Sequence, residues 1–328
     1  MAEPLTHFSV IVPVYNGSET LDACLAALVG QDYPPERFEV IVIDDGSTDE
    51  TAAIASRYPI RLIRLAENRG RIVARLRGTA EARFETLVFS DVRVLPGKEL
   101  LTKISERGCE PVIPDIQDYS GSRWGFSRFF FLLRCRLYAP YYPFSKDRVE
   151  YWITKENFDR VPKGTTCFIC SRNRWLASQP EKADRETSDD TRILRKIAET
   201  KPILRTTTVS VRYLQRTNFS AVMPHTYERG PRFADYYLRP GGRYFALYAG
   251  IWGFILVWLL SAIWDPMLGM VGAALILAAF TGAIACLSRN WSDVFVVAVC
   301  LPAVAAAFGL GILKWQFGIV LRCGMKRR

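Results

Sequence analysis

The stretch VIVIDDGSTDET, residues 40–51, decides the fold. Its four leading apolar residues, every one β-branched, read as a buried strand, extended upstream to FEVIVIDD (38–45). The strand breaks into two adjacent carboxylates, Asp44 and Asp45, then Gly46 and small polar residues. One acid at a strand end can cap a helix; two side by side point to a ligand. Ser47 with Glu50 three residues on has the pattern of a capping box, so a helix is expected from Ser47 to about Tyr58.

Outward from this stretch, strand and helix alternate. FSVIVPVY (8–15) reads as a strand, and ETLDACLAALVGQ (19–31) puts Leu21, Cys24, Leu25 and Leu28 on one helical face, with Gly30 as a stop signal. IRLIRL (60–65) is a third strand, RIVARLRGTAEARF (71–84) a third helix and TLVFS (86–90) a fourth strand. Short connections between such elements indicate an α/β domain with a mostly parallel sheet covered on both faces. Ligands of such sheets gather beyond the carboxyl ends of the strands. The polar residues fall there: Tyr15 and Asn16, Asp44 and Asp45, Asn68 and Gly70, then Asp91. No Gly-x-Gly-x-x-Gly loop follows the first strand, which counts against a dinucleotide oxidoreductase. A pyrophosphate held here would need a metal and basic side chains instead.

The remaining third of the chain has another character. No charged residue occurs in 244–264, 266–288 or 294–313, each about as long as the ~20 apolar residues that span a bilayer as a helix. Residues 1–240 therefore read as one domain and 241–328 as a membrane domain. The opening MAEPLTHFSVIVPVYN has no basic leader and does not resemble a signal peptide, so the first domain is expected in the cytoplasm, at the inner membrane. Cys167 and Cys170 have the spacing of half a zinc site, but no second pair follows and the chain has two histidines, so a pair of thiols in a strand is expected. The net charge of +10 admits nucleic acid, anionic lipid or phosphorylated substrates. Residues 121–180 hold eleven Lys and Arg against four acids, including RFFFLLRCRLYAPYYPF (128–144). Beside membrane spans, this aromatic and basic segment is expected at an anionic lipid interface; no recognition motif accompanies it for nucleic acid.

The segments VIVPVYNGSETLDACLAALVGQ, VIVIDDGSTDET, ENRGRIVARLRGTAEA and LVFSDVRVLPG resemble, in order and spacing, family 2 glycosyltransferases of the glycosyltransferase-A fold. The resemblance implies a nucleotide-sugar donor, commonly UDP-linked, with Tyr15, Asn16, Asp44 and Asp45 at uracil and ribose. Pro13, Gly46, Ser47, Gly70 and Arg75 would lie on the same donor side. The family usually has Asp-x-Asp where this chain has Asp91, Val92 and Arg93. Either Asp91 alone holds Mg or Mn, with Arg93 beside the diphosphate, or Arg93 partly replaces the metal. By the same resemblance Gly164 and Thr165 would form part of the acceptor wall. Of Asp189 and Asp190, the second would be the catalytic base, although both could simply cap the helix that follows. HTYERGPRF (225–233) resembles a basic segment that would bring His225 and Arg229 to the donor phosphates. A Gln-x-x-Arg-Trp motif is absent, which disfavours a processive polymer synthase.

The expectation is an inverting transferase that moves a sugar to a lipid-linked acceptor in cell-surface polysaccharide or glycolipid assembly. Polyprenyl phosphate itself is the alternative acceptor, and a non-catalytic donor-binding partner of a glycan assembly complex the alternative role. A transporter with a regulatory domain would need ionisable residues within its spans, and the three runs hold none. The oligomeric state is left open. Arg239 and Arg243 before the first run place the first domain inside by the positive-inside rule, and Asp265 makes the first two runs a tight hairpin. A third crossing would leave Lys314, Arg322, Lys326, Arg327 and Arg328 outside, against that rule. A re-entrant segment bent at Pro302, a short split pair, an interfacial helix and a true violation are the four ways out; with Gly309, Gly311 and Gly318 as bending points, two full spans plus an incompletely crossing segment are expected.

Overall fold

The computed structural model describes residues 6–108, 110–118, 124–139, 141, 149–180 and 189–325. The chain divides into two compact units. One comprises Met1–Tyr119, Tyr138–Arg185 and Asp189–Gln215; the other comprises Ser120–Leu137, Glu186–Ser188 and Arg216–Arg328.

The first unit is built on a nine-stranded mixed sheet. Its elements in chain order begin β1 (Phe8–Val14), α1 (Ser18–Val29), β2 (Phe38–Asp44), α2 (Thr51–Ala55), β3 (Arg61–Arg64), α3 (Arg71–Glu81) and β4 (Thr86–Ser90). These four strands lie parallel in the order β3-β2-β1-β4. Alternate strand residues serve opposite faces. Val10, Val12, Val14 and Val42 pack against Leu21, Leu25 and Leu28 of α1 and Ile54 of α2. Ile11 and Ile43 face α3, where Gly78 has no Cβ because one would stand 2.4 Å from Ile11. The rest of the sheet is mixed: β5 (Val94–Pro96), α4 (Leu100–Arg107) and β6 (Val112–Asp118), then β7 (Tyr151–Ile153), β8 (Cys167–Ser171), α6 (Arg172–Ala177), α7 (Asp189–Thr200) and β9 (Ile203–Tyr213). β8 joins antiparallel to β4, and the order continues β6-β9-β5, with β7 also on β9. Cys167 and Cys170 are buried thiols in β8, as the sequence indicates.

The second unit is helical: α5 (Gly125–Leu137), α8 (Phe219–Tyr237), α9 (Phe245–Trp264), α10 (Pro266–Leu287) and α11 (Trp291–Met325). Three stretches are long and apolar enough to cross a membrane: Phe245–Trp264, Pro266–Leu287 and Trp291–Gly318, with mean hydropathies of 2.0, 2.3 and 2.5. Asp265 closes the α9–α10 hairpin by accepting the Met267 amide at 2.8 Å. Gly272 of α10 leaves room for the indole of Trp258, which donates to the Gly269 carbonyl at 2.9 Å. The third stretch is one helix: α11 runs through Pro302 without interruption, not as a split pair. Gly311 is not a bending point but a point of close approach, since a Cβ there would stand 2.1 Å from the Tyr227 carbonyl oxygen of α8. Of the basic aromatic segment, residues 142–144 lie outside the described residues; its first part forms α5.

Candidate active site

The parallel half of the sheet ends in a knot of loops that side chains tie together. Asn16 takes the left-handed region (φ 48°), its amide donating to the Ser47 hydroxyl at 2.9 Å and its side-chain oxygen accepting the Thr48 amide at 2.9 Å. Ser47 therefore faces the end of β1 and caps nothing. The expected capping box is absent, and α2 begins only at Thr51, whose amide meets Asp49 at 3.1 Å. Asp49 also accepts the Ser18 amide at 3.1 Å. Burial pushes its carboxyl up, but these hydrogen bonds, chiefly from Thr51 and Ser18, bring it down to about 2. The ring of Tyr15 is 48% exposed at the strand end.

The two acids of the opening stretch do different work. Asp45 gives one oxygen to the Arg69 amide and the other to the Gly70 amide, each at 2.8 Å. It thereby fixes the loop that leads into α3. Gly46 beside it has φ +75°, and a Cβ would stand 2.6 Å from the Glu67 carbonyl carbon, so only glycine fits without strain. Asp44 is fully buried and accepts the Ser47 amide through Oδ1 at 2.9 Å. Its Oδ2 has no hydrogen bond and lies 3.4 Å from Arg64 Nε, an ion-pair distance. Asp44 thus has one oxygen paired with Arg64 and without a hydrogen bond, whereas both Asp45 oxygens already hold the loop.

At the end of β4, Asp91 Oδ1 accepts the Arg93 amide at 3.1 Å. The Arg93 guanidinium turns to the Leu214 carbonyl at 3.3 Å and to Glu19 at 3.5 Å. These contacts tie α1 to the end of β9. Among the described residues no group of three or more His, Cys, Asp or Glu could hold a metal. One carboxylate is nevertheless a workable anchor for Mg, which commonly takes one or two carboxylates and fills its shell with water and substrate phosphates. Asp91 fits an ion that shares its coordination with a diphosphate.

The densest polar cluster centres on Asp190. Its Oδ1 accepts from Arg75 Nη1 at 2.9 Å and from the Thr165 hydroxyl at 2.5 Å. Arg71, one turn before Arg75 on α3, stands 3.7 Å from Oδ2. Burial favours protonation of Asp190, but Arg71, Arg75 and the Thr165 hydroxyl outweigh it and hold the carboxyl well below the usual carboxylate range. The Asp190 side chain is 31% exposed, that of Arg75 only 1%. Arg75 also donates to the Thr165 carbonyl at 3.2 Å and lies 5.9 Å from the centre of the Phe89 ring. Arg75 is a buried clamp on Asp190, and Thr165 is fully buried, its hydroxyl bonded to the same carboxylate. Gly164 is half-buried beside it. Asp189 opens α7, and its side chain lies outside the described residues. Arg71 was missed, although two arginines four residues apart at a helix start share one face. His225 and Arg229 stand on α8, in the second unit.

Residues 9–173 match the family described as glycosyl transferase family 2, half of the chain. The chain belongs to that family. Among curated members it is 33% identical over 117 residues to the glycosyltransferase AglE of Haloferax volcanii, covering 34% of this chain and 37% of that protein. It is 39% identical over 101 residues to a dolichyl-phosphate beta-glucosyltransferase of Drosophila melanogaster, 27% of this chain and 31% of that one. The chain thus spans about a third of the length of these relatives. Solved structures share the fold. S. aureus TarS 1-349 in complex with UDP-GlcNAc matches with a TM-score of 0.50 at 20% identity, over 68% of this chain and 66% of that one. The mannosyltransferase PcManGT of Pyrobaculum calidifontis, in complex with GDP-Man and Mn2+, matches with 0.55 at 16% identity, over 96% and 88%. The glycosyltransferase-A fold is shared with these structures.

Proposed function

We propose that this family 2 glycosyltransferase transfers a sugar, with inversion, from a UDP-linked donor to a lipid-linked acceptor at the cytoplasmic membrane face. The observation that carries the reading is the clamped carboxylate: Asp190 has Oδ1 fixed by Arg75 and Thr165, leaving Oδ2 to take a proton. The acceptor hydroxyl gives its proton to Asp190 as its oxygen attacks the anomeric carbon. The bond from that carbon to the phosphate oxygen breaks, and its electron pair leaves with the nucleoside diphosphate. Asp44 accepts from the nucleobase through Oδ2 as Arg64 is displaced from it, Tyr15 lies against the base, and Asp45 and Gly46 hold the loop that shapes this end. A divalent ion on Asp91, when bound, neutralises charge on the departing diphosphate.

The three apolar helices support a membrane acceptor, because an enzyme of soluble substrates gains nothing from a tether. The dolichyl-phosphate beta-glucosyltransferase among the relatives supports a second acceptor, polyprenyl phosphate itself. The testing experiment is thermal stabilisation of the detergent-solubilised chain by UDP, GDP and their sugars, with and without Mn. Stabilisation by uridine nucleotides, lost in Asp44→Ala, is expected; indifference to every nucleotide contradicts the reading.

A further inference from the structure

The helical unit poses a charge problem. Of its three apolar stretches, the first has no residue buried by other helices and the second 11%, whereas the third, in α11, has 28%. The cover on α11 comes from α5, α8 and the end of α10, where Leu287 and Ile284 join it. Phe129 and Leu132 of α5 pack with Val296, Val297 and Cys300, and Arg128 grips the buried Asp293 with two hydrogen bonds of 2.7 and 2.9 Å. α8 runs in the same direction as α11: Met223 joins the cluster around Cys300, and Ala234 and Leu238 join Trp315. Between these points Gly230 and Gly311 bring the two backbones into contact.

Residues 293–315 of α11 extend about 33 Å at ~1.5 Å per residue. That is the full thickness of a hydrocarbon core of about 30 Å. The helix alongside it carries Glu228, Arg229, Arg232 and Asp235, the first two exposed. If α11 crossed the bilayer, these charges would be drawn into hydrocarbon, where charged side chains are expensive. The opposite side of α11 presents an apolar stripe at helical spacing, with large side chains exposed at Trp291, Phe295, Val299, Leu310 and Phe317 and small ones at Pro302 and Ala306 between them.

We propose that α11 lies in the plane of the membrane interface, forming with α5 and α8 a platform on anionic lipid, and that only α9 and α10 cross. The stripe of α11 sinks to the acyl chains while the exposed Glu228 and Arg229 of α8 and Arg136 of α5 meet headgroups and water. This arrangement removes the conflict in the sequence. Arg239 and Arg243 before α9, Arg289 after α10, Lys314, and the basic residues of 322–328, whose side chains lie outside the described residues, all remain on one side. The inference is independent of the sugar-transfer reading.

The test uses nitroxide labels on the full chain, at Phe295→Cys, Ala306→Cys and Phe317→Cys in a background without reactive thiols, in nanodiscs of phosphatidylcholine and phosphatidylglycerol. Depth is read from the relative accessibility to oxygen and a water-soluble nickel chelate, with Leu256→Cys of α9 as a deep reference. The proposal expects the three α11 labels at one shallow depth, well above the reference. A label at 306 near the bilayer centre, with 295 and 317 at opposite surfaces, overturns it. A reporter fused after residue 328 reads the same question without altering any helix. Fluorescent protein should mature there and alkaline phosphatase stay inactive; the reverse pair of results also overturns the proposal.

Discussion

Replacing Arg75 by Met removes the clamp and keeps most of the buried stem. The guanidinium supplies one charged hydrogen bond to Asp190 and one to the Thr165 carbonyl. Hydrogen bonds to charged groups contribute about 1.5–3 kcal/mol each. Breaking a fully buried ion pair costs about 3–5 kcal/mol, but Asp190 keeps Thr165, Arg71 and some solvent, so a loss of roughly 2–3 kcal/mol is expected. Turnover should fall more steeply than stability implies, by about a hundredfold or more, because a general base contributes ~10²–10⁴ only when held in place. A pH profile distinguishes this from general loosening. Asp190 in the native protein is ionised well below the usual carboxylate range, so the rate should show no acid limb from this group above about pH 5. Without Arg75 the effect of burial is opposed by less positive charge, the carboxyl moves upward, and an acid limb should enter the measurable range. The assay is sugar transfer, or slow donor hydrolysis, on folded protein at 25 °C, in a double-mutant cycle with Asp190→Asn. If Arg75→Met keeps more than about half the wild-type rate, or multiplies the Asp190→Asn loss instead of being absorbed by it, the clamp reasoning is refuted.

Other outcomes follow from the same geometry. Asp190→Asn should lower turnover by about 10²–10⁴ with donor affinity nearly unchanged by calorimetry; retention of a third of the rate, with Asp189→Asn inactive, would move the base by one residue. Gly46→Ala forces a left-handed residue against the 67–68 backbone and should cost about 1–3 kcal/mol in urea unfolding, with weaker nucleotide binding. Asp91→Ala should abolish any Mn dependence of donor binding, and full activity of the wild type in excess chelator would show that a protein cation serves instead. Asp49 and Asp190 both have folded-state values below their unfolded ones, so each favours the folded state above about pH 4. That stabilisation should fade as pH falls toward the folded value, about 2 for Asp49, which acid titration followed by circular dichroism can trace.

Much of the parallel half was legible because β1 and β2 are β-branched runs and α1 shows one apolar face. The four strands from Phe8 to Ser90 appear within a residue or two of their expected bounds. What misled was local chemistry with a distant competitor. Ser47 and Glu50 make a sound capping box until Asn16, thirty-one residues away, takes the Ser47 hydroxyl. The antiparallel half escaped because β5 and β7 have three residues each, too short for periodicity to show. The paired acids were correctly placed at a strand end, yet which one keeps a usable oxygen depends on the Arg69 and Gly70 amides. Arg75 was read by its family motif as a donor contact, and only burial against Phe89 shows it pointing to Asp190. The length and apolarity of α11 were legible in the sequence, while the charges alongside it come from α8, which no local pattern places there.

The most direct test of the central claim, inverting transfer with Asp190 as base, is the anomeric configuration of the product. Full chain in lipid, supplied with an α-linked UDP-sugar and a polyprenyl-linked acceptor, should give a β-linked product by NMR, and Asp190→Asn should give almost none. An α-linked product, or the same β-linked product at an undiminished rate from Asp190→Asn, would contradict the account.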